Sequence, residues 1–136
     1  MQPEPPEQAF EVTVSVLPTD VDELGHVNNI VYLRWVQEVA IAHWRSLASA
    51  ESQAEVVWVV LRHEIDYKTP ALPGDKILLR TWVGEASRIR FERHTQILHA
   101  ERKQLLAQAR TLWCPISTKT GKPHRVSDEL RVQFST

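Results

Sequence analysis

The chain has 136 residues, enough for one core of its own and too few to favour two domains. Its 43% hydrophobic and 24% charged content excludes a largely disordered chain, and 16 basic against 17 acidic residues, a formal charge of -1, exclude any general attraction to nucleic acid or an anionic membrane. A single cysteine, Cys114, rules out an internal disulfide framework or a thiolate metal cluster, and no stretch nears the roughly 20 apolar residues of a membrane span, so a soluble, cytoplasmic protein is expected.

Residues 1–9, with Pro3, Pro5 and Pro6 among acidic neighbours, predict an extended or disordered arm ahead of one domain over 10–136. From Phe10 to Val16 the even positions are apolar and the odd ones polar, the alternation of a half-buried strand. A polar loop follows, and then Ile30 to about Ala50 runs without Gly or Pro. In it Tyr32, Val36, Val39, Ala40 and His43 recur at spacings of three and four, which predicts one long helix with a single buried stripe. Four further strand patterns cover about 56–68, 76–84, 88–99 and 104–116, separated by short gaps rich in turn residues and by no second long helix. Their sheet must be largely antiparallel. Ser127, Asp128 and Glu129 suit the first turn of a short final helix. The sum is an α+β fold, a five-stranded antiparallel sheet around one long helix.

The loop between first strand and helix reads TDVDELGHVNN, residues 19–29, and carries two carboxylates, an imidazole and two carboxamides. One reading is local structure, with Asn28 or Asn29 capping the helix and Asp20 and Asp22 making side-chain turns. A second is a calcium loop: Asp20, Asp22 and Gly25 match its first, third and sixth positions, but the twelfth is Val31 where a bidentate Glu is required, and no helix precedes. Asp22 with His26 is too small a donor set for zinc, so no metal is expected. The third reading is acyl-transfer chemistry, in which an ionised Asp attacks a carbonyl or activates water while amides at a helix start stabilise the oxyanion. No G-x-S-x-G elbow is present to support a serine hydrolase.

The segment DVDELGHVNNIVYLRWVQEVAIAHW, residues 20–44, resembles the strand-to-helix signature of hotdog-fold acyl-CoA thioesterases of the 4-hydroxybenzoyl-CoA thioesterase type. HEIDYKTPALPGDKILLRTWVG, residues 63–84, and KTGKPHRVSDELR, residues 119–131, are similar to that family's later landmarks, in the same order. The resemblance implies a homodimer, or a dimer of dimers, joined edge to edge through the strand after the helix, with active sites at the subunit boundary. Position by position it implies Asp22 as nucleophile or general base, with Asp20 the weaker carboxylate. His26 and Asn28 would orient the carboxylate, the water or the thioester, and the Asn29 backbone N–H would polarise its carbonyl. Some relatives place a catalytic Glu within the long helix, where Glu38 is the only acidic residue before Glu51. Arg88 and Arg90, on one face near a strand start, with Arg93 less favoured, would meet the phosphates of coenzyme A, and coenzyme A is then part of the substrate, with no separate cofactor. An enoyl-CoA hydratase of the same fold, or an acyl-thioester-binding protein without turnover, are the rival readings.

Overall fold

The computed structural model describes residues 2–134. Strand β1 (Phe10–Ser15) leads through a single 3-10 turn into the polar loop and the helix α1 (Asn29–Leu47). A short helix α2 (Ala50–Glu55) and strands β2 (Val56–Tyr67), β3 (Lys76–Ala86), β4 (Phe91–His99) and β5 (Leu105–Ser117) follow, with α3 (Asp128–Phe134) last. All strand pairs are antiparallel and the sheet order is β1-β3-β4-β5-β2, so β2 crosses to the far edge while β3, β4 and β5 form consecutive hairpins.

One face of this sheet receives α1, and the apolar stripe of the helix explains why. Val31, Tyr32, Trp35, Val36 and Val39 pack with Leu79, Ile97, Ala107 and Ala109 in one cluster. Further along the helix, Ala40 and Trp44 join Val56, Val83, Phe91, Trp113 and Phe134 of α3 in a second. Residues 2–9 of the expected arm form no strand or helix, and Gln2 lies against the sheet, its carboxamide donating to Thr95 O (3.1 Å) and Ala109 O (3.0 Å).

Two features differ from the sequence expectation. The long helix ends at Leu47 instead of about Ala50, because Ala48 is extended and Ser49 caps α2, its hydroxyl accepting from Ser52 N–H. Gln53 Nε2 donates to Ala48 O (3.0 Å), which secures the break. Strand β2 carries a bulge between Val60 and Arg62. Val56, Trp58 and Val60 face the second cluster before it, and Ile65 faces the first cluster after it, so one inserted residue moves the inward side from even to odd positions.

His43, on the sheet-facing stripe, stacks on Phe10 with ring centroids 4.9 Å apart and meets Arg93 through Nδ1 at 3.0 Å. Burial, and then the Arg93 charge, push its pKa down to about 4. The unfolded chain therefore binds a proton that the folded chain refuses between pH 6.5 and 4, and stability falls as pH drops through that window. Burial holds His63 and His94 low as well, with the same sign. Urea midpoints measured from pH 7 to pH 4 are expected to fall, and His43→Gln is expected to flatten part of that slope.

Candidate active site

The polar loop is shaped by its own hydrogen bonds. Val21 and Val27 form an isolated antiparallel bridge, and Asp22 N–H donates to His26 O at 2.8 Å. Gly25 N–H donates back to Asp22 O, with Gly25 at φ 78°, the left-handed region that a side chain disfavours. Within this turn the Asp22 carboxylate accepts from Leu24 N–H (2.9 Å) and His26 N–H (3.2 Å), both at Oδ1. Among the described residues no donor reaches Oδ2, so one oxygen is fixed by the backbone and the other is presented to solvent.

Asp20 is built differently. It is 1% exposed, and its Oδ2 accepts from Leu17 N–H (2.8 Å) while Oδ1 takes Arg34 at 3.0 Å. Its backbone oxygen accepts from Asn28 N–H (2.8 Å), so this residue ties the end of β1, the loop and α1 together and has no oxygen left for a substrate. Arg34 also reaches Glu38 Oε1 at 3.3 Å on the exposed side of the helix.

Asn28 is the N-cap of α1: its Oδ1 accepts from Ile30 N–H (3.1 Å) and its backbone oxygen from Val31 N–H (2.9 Å). Among the described residues the Asn29 N–H has no acceptor, which leaves a donor at the positive end of a helix of 19 residues.

Asp22, His26 and Asn29 line one open cleft with an empty volume of about 630 Å³, together with Tyr32, Tyr67 and Lys68. Asn28 stands beside the cleft as the cap. Glu38 does not line it. Tyr32 and Tyr67 meet edge to face at 5.3 Å, and the Tyr32 hydroxyl accepts from Ala71 N–H (2.8 Å). Burial raises the Tyr32 pKa above the ordinary phenol value, so it stays a neutral hydroxyl. The sequence reading took Tyr32 for a packing residue and passed over Lys68. The alternation that places Tyr67 on the inward side with Ile65 was the signal available for Tyr67.

Arg88 and Arg90 do not share a strand face. Strand β4 starts at Phe91, so Arg88 and Arg90 belong to the β3–β4 turn, where Ser87 N–H donates to Arg90 O (2.8 Å) and Arg90 N–H to Ser87 Oγ (3.1 Å). Arg93 is inward and 5% exposed, bonded to Thr81 Oγ1 at 3.1 Å, so it is removed from any surface phosphate contact. Within one chain the β3–β4 turn lies at the opposite end of the sheet from Asp22. Ile97, in the core beside α1's first turns, is six residues from Phe91 along β4, roughly 20 Å. No group of described residues has the make-up of a metal site, and no described helix is long and apolar enough to cross a membrane.

Comparison with known proteins places these features in a family. The chain is 25% identical to a 1,4-dihydroxy-2-naphthoyl-CoA thioesterase from Synechocystis, covering 93% of this chain and 96% of that one with a TM-score of 0.78. A thioesterase from Thermus thermophilus, solved with coenzyme A and zinc, has the same fold at 23% identity and a TM-score of 0.79, over 93% and 97% of the two chains. A chloroplastic acyl-[acyl-carrier-protein] hydrolase, FATB3 of Cuphea viscosissima, is 25% identical over 84% of this chain, which spans only 29% of that relative's length. The family model described as the thioesterase-like superfamily matches residues 16–134, from the exit of β1 to the end of α3 and so across the whole cleft, and the chain belongs to that superfamily.

Proposed function

We propose that this protein hydrolyses an acyl-coenzyme A thioester to the free acid and coenzyme A. The observation that carries the reading is the meeting, on one cleft, of a carboxylate with one unengaged oxygen and a helix-start N–H without an acceptor. Asp22 Oδ2 either attacks the carbonyl carbon, expelling the thiolate and leaving an anhydride that water opens, or takes a proton from the water that attacks. In both routes the carbonyl oxygen gains charge, and the Asn29 N–H with the α1 dipole stabilises it. His26 and the two tyrosines bound the space in which the acyl group and the water are oriented. Membership of the thioesterase-like superfamily and the likeness to the Synechocystis enzyme support the thioester as substrate.

The proposal includes a homodimer. Strand β2 is an edge strand whose outer face exposes Val57 (48%), Val59 (40%) and Leu61 (51%), an apolar stripe that water disfavours. Joining two such edges antiparallel sets the Tyr67 end of one β2 beside the Val56 end of the other. The partner's Arg88 and Arg90 then approach this chain's Asp22 cleft, which resolves the distance between them within one chain. A variant carrying Arg88→Gln and Arg90→Gln is expected to raise KM for an acyl-CoA about fivefold with little change in kcat. The same variant should leave the acyl-pantetheine ester, which lacks the nucleotide phosphates, unaffected.

The deciding experiment incubates purified protein with a panel of aliphatic and aromatic acyl-CoAs, and with an acyl-carrier-protein thioester, in the presence of a thiol reagent. Catalytic thiol release establishes the hydrolase. Hydration of an enoyl-CoA without thiol release, or saturable binding without turnover, overturns it in favour of a hydratase or a binding protein.

A further inference from the structure

The β3–β4 turn is backed by the segment that returns after β5. Gly121, at φ 70°, reverses the chain, and Ser117 N–H donates to Lys122 O (2.8 Å) across the reversal. Pro123 then bridges Ile116, His124 N–H donates to Pro115 O (2.8 Å), and Val126 N–H donates to Arg88 O (3.2 Å). These bonds bring Lys119, Lys122 and Arg125 to the same end of the sheet as Arg88 and Arg90, and all five residues are exposed. Ile89, 43% exposed, stands between the two arginines of the turn.

Among the described residues none of these five cations holds an ion pair. On the sheet, by contrast, Arg62, Arg80 and Arg110 each hold a carboxylate. Of the nearby acids, Glu85 shares a groove with Arg90 and Arg110, Asp128 pairs with Arg131, and Glu55 and Glu129 stand at the limits of the patch, so positive charge remains in excess. Coenzyme A phosphates do not account for its extent. Lys122 is bonded at Ser117, whereas Phe91, next to Arg90, lies opposite Trp113, four residues along β5 and roughly 13 Å away. Nor do phosphates have a use for an exposed isoleucine.

We propose that this face docks an acidic carrier protein, which presents the acyl group as a thioester on its own pantetheine arm. The inference rests on the thioesterase reading and its dimer, in which this end of one protomer approaches the Asp22 cleft of its partner. The arm ends in the same thioester as coenzyme A, so the cleft chemistry is unchanged. Carboxylates of the carrier take the place of the nucleotide phosphates, and Ile89 receives an apolar side chain among them. The whole chain has a formal charge of -1, so the attraction is confined to this patch, which suits a partner of matching size better than a membrane or a nucleic acid.

The test compares one acyl group on an acidic acyl carrier protein, on coenzyme A and on pantetheine. A variant carrying Lys119→Glu, Lys122→Glu and Arg125→Glu is expected to raise KM for the carrier thioester about tenfold, and to leave KM for the other two within about twofold. Added salt should raise the parent's KM for the carrier thioester and leave the variant's nearly flat. Arg125→Glu alone, with a rise of about threefold, carries the test if the triple variant does not fold. Binding is read separately by an NMR titration of the thiol-bearing carrier, which has no ester to hydrolyse: the parent should shift its acidic residues and the variant should not. If no thioester is hydrolysed, the thioesterase reading fails, and this titration alone decides the docking face. The docking proposal is overturned if the thiol-bearing carrier does not bind, or if acyl-CoA is turned over and the carrier thioester is not. It is equally overturned if a folded variant treats the carrier thioester like the parent or loses acyl-CoA to the same degree, or if anionic vesicles or RNA bind the patch and the carrier does not.

Discussion

Asp22→Asn is expected to lower kcat for a thioester by about 10²–10⁴-fold while KM stays within a few-fold and Tm within about 2 °C. The amide oxygen can still accept from Leu24 and His26 N–H, so the turn persists. What disappears is the charge and basicity of Oδ2, the oxygen without a protein partner. Steady-state kinetics with a thermal melt of the same sample check both halves of the statement. Near-parental turnover would shift the chemistry to water activated elsewhere in the cleft, with His26 the next group to replace. Single-turnover hydrolysis in oxygen-18 water then separates the two routes open to Asp22. In the nucleophilic route, water opening the anhydride at the aspartyl carbonyl leaves the label on Asp22 and an unlabelled carboxylate oxygen in the first-formed acid, whereas in the general-base route the acid carries the label from the start and Asp22 none.

Asp20→Ala is expected to do the reverse. This carboxylate is buried, holds Leu17 N–H and Arg34, and offers nothing to a ligand. Because Arg34 is half exposed, the ion pair itself adds little. The cost lies in unpairing the loop backbone and leaving a gap where the side chain was. A loss of about 2 kcal/mol, or roughly 8 °C in Tm, is the expected outcome, with KM and kcat at low temperature changed far less than in Asp22→Asn. Two aspartates separated by one valine thus answer to different measurements, and a result in which Asp20→Ala abolishes turnover without altering Tm would refute the division.

The spacing of these two residues does not reveal that division. Asp20 and Asp22 look equivalent in the sequence, and only the path of the loop, which turns one inward to Leu17 and Arg34 and the other outward to the cleft, distinguishes them. The five strands were readable because alternation in the first, β-rich runs in the others and the turn residues between them are local signals, and the long helix because three-and-four spacing persists for most of its length. Its end was less legible: Ser49 caps a new helix against a sequence that would otherwise continue the first. The bulge in β2 was hidden because VVWVVL is apolar on both faces, so the change of side at Leu61 leaves no mark in the pattern. Arg93, the least favoured of the three arginines for phosphate contact, shares its side with Phe91 and Thr95, the side opposite to Arg88 and Arg90 by alternation, and a position for a buried residue.

The place of β2 in the sheet also sets the order in which the chain is assembled. Its partners, from Ser117 opposite Val56 to Ala107 opposite Tyr67, are made long after it, whereas β3, β4 and β5 close as successive local hairpins. During synthesis β2 therefore waits with both hydrogen-bonding edges unpaired and Val57, Val59 and Leu61 uncovered. Aggregation during expression should begin at this strand, and a charge introduced at Val59 should raise the soluble yield of newly made chains while weakening the self-association that the same stripe supports.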